Sequence, residues 1–139
     1  MRKNYRRLLV FVLLVAMLAT NMLVFAADPT IDLQRYDKVS SFSVFLDISK
    51  YGYAECTGDM RLRSGATADL TITLYKSKDK TSWSKVDSWS VSGPSLLTLN
   101  DGCFVMSGYY YFAKLTANVY DTSGNFIEDV SLSTNIESY

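Results

Sequence analysis

The sequence predicts an all-β protein, an immunoglobulin/fibronectin-like sandwich of two antiparallel sheets with about seven strands. Three observations predict it. Short runs alternate apolar and polar residues with the period of two that a half-buried strand requires. Clusters of Gly, Asp, Asn, Ser and Pro separate those runs at spacings of roughly 8 to 12 residues. After the apolar N-terminal segment, no stretch carries apolar residues at helical spacing.

The clearest alternation runs from Ser107 to Tyr120. Tyr109, Tyr111, Ala113, Leu115, Ala117 and Val119 fall on one side, and Tyr110, Phe112, Lys114, Thr116, Asn118 and Tyr120 on the other. Lys114 and Asn118 mark the second side as the wetter one, so the core is expected against the first. Ser41 to Ser49 alternates Phe42, Val44, Leu46 and Ile48 with polar residues, interrupted by Phe45 alone. Tyr53 to Arg63 turns Ala54, Cys56, Gly58, Met60 and Leu62 inward, and Asp69 to Tyr75 does the same with Leu70, Ile72 and Leu74.

Trp83 to Val91 is less regular, because Trp83 and Trp89 share parity while Val86 opposes them; it reads as an edge strand. Leu96 to Met106 reads as one long strand with a bulge at Asp101-Gly102, a hairpin turn there being the alternative. Phe126 to Ser133 completes the set with Phe126, Val130 and Leu132 on one face. In a sandwich of this type Ser107 to Tyr120 becomes the central strand of one sheet. Tyr109 or Tyr111 then supplies the corner hydroxyl that bonds back to upstream backbone. The core tryptophan of antibody domains is missing from the third strand, which argues against a true antibody-type domain.

The N-terminus reads as a signal peptide over residues 1–26, an N-terminal signal helix ahead of the sandwich. Arg2, Lys3, Arg6 and Arg7 form a basic start, Leu8 to Ala19 is unbroken apolar sequence, and Val24-Phe25-Ala26 fits a cleavage site. The alternative is an uncleaved membrane anchor. Residues 27–38 read as a flexible tail and residues 39–139 as the domain. Of the 14 Lys and Arg, four lie in the signal, so the exported chain carries ten against 14 Asp and Glu, a net charge of −4. A mildly acidic chain without a basic cluster sets aside nucleic acid and, once the signal is cleaved, membrane surfaces as partners. No cofactor is expected. Export also favours a disulfide between Cys56 and Cys103 linking the two sheets, worth about 4 kcal/mol in the chain-entropy treatment, with two buried free thiols as the alternative.

The combination LTITLYKSKDKTSWSKVDSW followed by SGYYYFAKLTANVYDTSGNFIEDVS resembles small secreted β-sandwich proteins of unknown function from Gram-positive, clostridium-like bacteria. The likeness spans about Val39 to Thr134. It rests on the leucine-tyrosine strand before W-x-x-V-x-S-W and on the tyrosine triplet ahead of a D-x-x-G turn. It implies a β-sandwich and export, and brings no activity or catalytic residues with it.

The residue inventory points away from catalysis. Histidine is absent, which removes the commonest general base and metal ligand together. Glu55 and Asp59 share a strand face but stand about 13 Å apart at strand rise, wider than the roughly 5 to 9.5 Å of paired glycosidase carboxylates. Asp121-x-Ser123-x-Asn125 has oxygen ligands at alternate positions but no glutamate at the twelfth place, so it reads as a turn and no metal is expected. The aromatic residues are what exceeds scaffolding. Tyr75, Trp83, Trp89, Tyr110 and Phe112 are the candidate binding residues, a platform able to stack on sugar rings or anchor a protein. The competing reading places the tryptophans in the core and the tyrosines over strand edges. Two function classes follow: a secreted non-catalytic binding module for glycan or protein, or a structural, envelope-associated protein assembling through edge strands.

N-terminal sequencing of the exported protein is expected to begin at Ala27. A secreted-fraction chain that still begins at Met1 contradicts the signal reading.

Overall fold

The computed structural model describes residues 29–139; the expected signal peptide, its helix and its cleavage point lie outside the described residues. Seven strands follow in order: β1 Val39–Ile48, β2 Tyr53–Leu62, β3 Ala66–Ser77, β4 Ser84–Pro94, β5 Leu96–Phe104, β6 Tyr110–Asp121 and β7 Phe126–Ser133. A two-residue strand, β8 Glu137–Ser138, comes after them. The protein is all-β, with two antiparallel sheets of three and five strands. The first has the order β1-β2-β5, and the second β4-β3-β6-β7 with β8 also paired to β6. The hairpins β1–β2, β3–β4 and β6–β7 stay within a sheet, while the other connections among the first seven strands cross between sheets.

The alternation explains how the sheets meet. Leu70, Ile72 and Leu74 on β3 lie opposite Ala117, Leu115 and Ala113 on β6, and these six side chains are at most 2 % exposed. Val44 of β1 and Ala54, Cys56 and Met60 of β2 face them from the three-stranded sheet as part of one buried cluster. The two layers approach closely at Gly58. A Cβ there would stand 2.7 Å from Leu115 Cδ1 and 3.0 Å from Ile72 Cδ1, so only a residue without a side chain lets those two fill the space. Tyr111 supplies the corner contact: it is buried, and its hydroxyl donates to the Met106 carbonyl at 2.5 Å. Burial pushes its phenol pKa up, against the smaller opposing effect of that hydrogen bond.

Three expectations need correction, besides the face of Phe126, which a register shift in β7 puts opposite Tyr120 on the outer side and away from Val130 and Leu132. Cys56 and Cys103 are both free thiols and do not join the two sheets. Cys103 lies on β5, beside β2, with Ala54 opposite it and Asp101 opposite Cys56. The cysteines are therefore diagonal neighbours, whose Cα atoms sit about 7 to 8 Å apart, beyond the roughly 4.4 to 6.8 Å that a disulfide spans. Burial pushes the Cys56 thiol up to about 12 and raises that of Cys103 as well, so neither is an activated nucleophile.

The second correction concerns Asp101-Gly102. β5 is one strand, as expected, but its register with β2 is unbroken and contains no bulge. Gly102 is there for space: a Cβ would collide with the Ala54 carbonyl oxygen and stand 3.0 Å from the Tyr53 ring. The third concerns β4. Its register against β3 shifts between Leu74, which faces Asp87, and Tyr75, which faces Lys85, leaving Val86 as an extra residue. That bulge reverses the parity, so Trp83 and Trp89 serve opposite faces despite their even separation. Trp89 lies opposite Ile72 and packs against the core.

Residues 32–38, within the segment read as a flexible tail, are tied to the sandwich. Leu33–Arg35 forms a 3₁₀ turn capped by Asp32, whose carboxylate accepts from the Gln34 N–H at 3.1 Å. The Asp37 and Lys38 N–H groups donate to the Glu128 carboxylate at 3.0 and 2.8 Å, and Arg63 donates to the Tyr36 and Asp37 carbonyls. Ile31, Leu33 and Tyr36 pack against the core.

Gly58→Val is expected to cost about 1–3 kcal/mol in urea unfolding through overpacking, and Tyr111→Phe about 0.5–1.5 kcal/mol through the lost hydrogen bond. In native protein, iodoacetamide should label Cys103 before Cys56. Denaturation without reductant should then free two thiols per chain.

Candidate functional site

The β3–β6 register that builds the core also builds the outer surface of the five-stranded sheet. Because side chains alternate, the residues between the buried ones form rows across it. Farthest from the Tyr75–Phe112 end lie Pro94, Thr67, Tyr120 and Phe126, the last two an edge-on pair at 6.1 Å, then Ser92, Asp69, Asn118 and Asp129, then Ser90, Thr71, Thr116 and Ser131, then Ser88, Thr73, Lys114 and Ser133. Hydroxyls bond across the rows: Thr71 Oγ1 to Ser90 Oγ at 2.8 Å, Thr73 Oγ1 to Ser88 Oγ at 3.3 Å, and Ser92 donating to Asp69 at 2.6 Å. The next row holds Lys85, Tyr75 and Phe112.

At this end the aromatic side chains meet. Tyr75 and Phe112 stack with centroids 5.0 Å apart and planes 18° apart, and Trp83 closes on Phe112 edge-on at 4.6 Å and 81°. All three are half-buried. One row further, Tyr110 faces Ser77 and carries the Lys80 ammonium over its ring at 4.3 Å, a cation–π contact worth about 0.5–1 kcal/mol at an exposed site. Four of the five candidate residues, Tyr75, Trp83, Tyr110 and Phe112, thus share one end of one face. Trp89 does not belong with them, because the bulge at Val86 puts it on the core side.

The β3–β4 loop frames this cluster by a hydrogen-bond knot. Ser77 is buried and donates to Asp79 Oδ1 at 2.8 Å while its oxygen accepts from the Asp79 and Lys80 N–H groups. Asp79 Oδ1 also accepts from Thr81 and Ser82 N–H at 2.9 and 2.8 Å. These bonds, the Ser82 N–H first among them, hold the Asp79 carboxyl well below the ordinary value of 3.8. They also hold Lys80 in left-handed backbone at φ 62°, a conformation that side chains other than glycine and asparagine resist. On the opposite side of β6 from Tyr110, Tyr109 has the Lys76 and Lys78 ammonium groups 5.1 and 5.3 Å from its ring centroid. That side opens into a recess of about 320 Å³, lined also by Ser82 and Ser84.

Two features escaped the sequence reading. Tyr53 and Phe104 form an edge-on pair at 5.3 Å on the outer face of the three-stranded sheet, with Tyr51 and Met106 exposed beside them. Their signal was the parity of Tyr53 with Glu55, hidden by the uncertain β5. A cleft of about 350 Å³ also lies between β1 and β7, lined by Phe42, Phe45, Leu46, Leu132, Ile31 and Leu33 among others. Asp59, weighed for catalysis with Glu55, accepts from the Thr98 hydroxyl at 2.8 Å. Asp121 closes the β6–β7 turn, accepting from Ser123 and Asn125, and the Asn125 side-chain bond leads the effects that lower its pKa. Among the described residues no group of three or more Cys, Asp or Glu is placed to hold a metal.

Asp79 and Asp121 both titrate below 3.8, so the stability each contributes is present above that value and is lost as pH falls through the folded-state value. Asp79→Asn with Asp121→Asn should therefore flatten the decline of the urea midpoint between about pH 5 and about pH 2. An unchanged decline contradicts the bonding of both loops.

No protein-family model matches the chain, and no curated protein matches it. Among solved structures, the chain is similar to an X-ray structure of a Northeast Structural Genomics Consortium target, at 10 % identity and a TM-score of 0.34, over 79 % of this chain and 97 % of that one.

Proposed function

We propose that the protein is a secreted, non-catalytic binding module that takes a glycan on the outer face of its five-stranded sheet. The observation that carries this reading is the half-buried stack of Tyr75 and Phe112 with Trp83 at its edge. A stack of this kind presents a flat apolar surface to a ligand with a ring face of its own. The neighbouring rows of Thr71, Thr73, Ser88 and Ser90 supply exchangeable donors and acceptors suited to sugar hydroxyls. Partners of protein chemistry fit the rows less well, because their central contacts are commonly apolar and fully desolvated.

The order β1-β2-β5 against β4-β3-β6-β7 supports an immunoglobulin/fibronectin-like description of the sandwich. Export rests on the sequence of residues 1–26 and on the resemblance to small secreted proteins of clostridium-like bacteria. A second reading, a structural protein that self-assembles, draws support from the three-stranded sheet. Its edge strand β5 exposes Leu96 and Phe104, the latter by 76 %.

Titration with a panel of soluble glycans should quench tryptophan fluorescence, and Trp83→Phe should remove most of that change. Tyr110→Ala and Phe112→Ser should weaken binding by about tenfold or more, the loss expected of a central aromatic contact worth above 1 kcal/mol. Folded variants with undiminished binding overturn the platform. Concentration-dependent assembly without ligand, abolished by Phe104→Ser, supports the second reading.

A further inference from the structure

The lysines of the exported chain are not evenly spread. Five of the ten basic residues after residue 28 are Lys76, Lys78, Lys80, Lys85 and Lys114, and all five fall at the aromatic end of the five-stranded sheet. Three of them ring the platform. Lys85 is the register partner of Tyr75, Lys114 stands two places from Phe112 on the same face of β6, and Lys80 covers Tyr110. The other two gather on Tyr109 at the sheet end. Lys76, Lys78 and Lys80 are close in sequence, but β4 and β6 supply Lys85 and Lys114 from different places, and the net charge of the exported chain is negative.

The acidic groups of the face lie elsewhere or are engaged. Asp69 and Asp129 lie three rows from the Tyr75–Phe112 stack, with Asp69 bonded to Ser92. The Asp79 carboxylate is turned into its own loop by Ser77, Thr81 and Ser82. The backbone oxygen of Tyr139, near Tyr109, accepts from the Gly108 and Tyr109 N–H groups. Asp87 and Glu137 are exposed near this end but stand opposite Leu74 and Tyr111, off the outer rows, so the outer face is basic around the aromatic stack and carries its carboxylates three rows away. Lys80 is moreover held in left-handed backbone by the Ser77–Asp79 knot, an unfavourable conformation maintained where a side chain is presented.

Resting on the platform reading above, we propose that the ligand is an anionic glycan. A sugar ring lies on Phe112 and Tyr75, its carboxylate, sulfate or phosphate groups are drawn to Lys80, Lys85 and Lys114, and the chain continues over the sheet end toward Lys76 and Lys78. Charge selects the glycan, and the stack and hydroxyl rows seat it. A single-stranded nucleic acid also combines rings with anions, but the exported chain carries 14 acidic against ten basic residues, a poor balance for a polyphosphate backbone, and the oligothymidylate arm below decides between them.

The probes are polygalacturonate, its fully methyl-esterified form, dextran sulfate and an oligothymidylate, measured by calorimetry on the exported protein. The acid form should bind at least about tenfold tighter than the ester at low salt, and its affinity should fall by about fortyfold between 50 and 300 mM NaCl, as release of about three counterions requires. Dextran sulfate binding tighter than polygalacturonate assigns the anion as sulfate-like, and the reverse order assigns it as carboxylate; both support the proposal. The triple variant Lys80→Gln, Lys85→Gln, Lys114→Gln should bind the acid no better than the ester, while still unfolding cooperatively with a urea midpoint lowered by no more than the lost Lys80–Tyr110 contact. Equal binding of acid and ester overturns the charge selection and leaves the glycan platform standing. Failure of both polyanions and the ester overturns both, and oligothymidylate binding tightest replaces glycan by nucleic acid.

Discussion

The twelve-residue register between β3 and β6 is the constraint on which the rest depends. Side chains on a strand alternate, so one pairing fixes two surfaces at once. With Ile72 opposite Leu115, the inner row is apolar and meets Gly58 and Met60 of the other sheet. The same register leaves no choice about Tyr75, which must stand opposite Phe112 on the outside. A slip of one residue would bury the aromatic pair and expose the leucines, so the core stabilises the platform without touching it.

Two smaller devices adjust what the register supplies. The bulge at Val86 divides the tryptophans, giving Trp89 to the core and Trp83 to the surface. The Ser77–Asp79 knot fixes a loop that would otherwise carry its lysines on a mobile tip. Both belong to the β3–β4 hairpin, so this hairpin decides what chemistry surrounds the aromatic stack.

Much of this was legible in the sequence, where the period of two was clean. The inner faces of β2, β3 and β6 could be read residue by residue, because each buried set is uninterrupted and each outer set carries charge or hydroxyl. What stayed hidden depends on pairing. A bulge in β4 is visible only against β3, so Trp83 and Trp89 looked equivalent. Gly102 resembled a bulge residue, whereas it is required by the Ala54 carbonyl and the Tyr53 ring on the neighbouring strand. In sequence Cys103 lies just ahead of β6, which suggests a bridge between the sheets. The register puts it beside β2 instead. The lysine grouping was legible only in part: KSKDK holds Lys76, Lys78 and Lys80, but Lys85 and Lys114 join them only through the pairing of β4 and β6 with β3.

The most direct test of the central register is an NMR measurement of cross-strand contacts in the folded protein. The account predicts nuclear Overhauser effects between the rings of Tyr75 and Phe112 and between the Gly58 α-protons and the Leu115 methyl groups, in the same sample. Contacts from the Tyr75 ring to the Leu115 or Ile72 methyl groups, in place of Phe112, would mean a shifted register and would contradict both the core and the platform described for this protein.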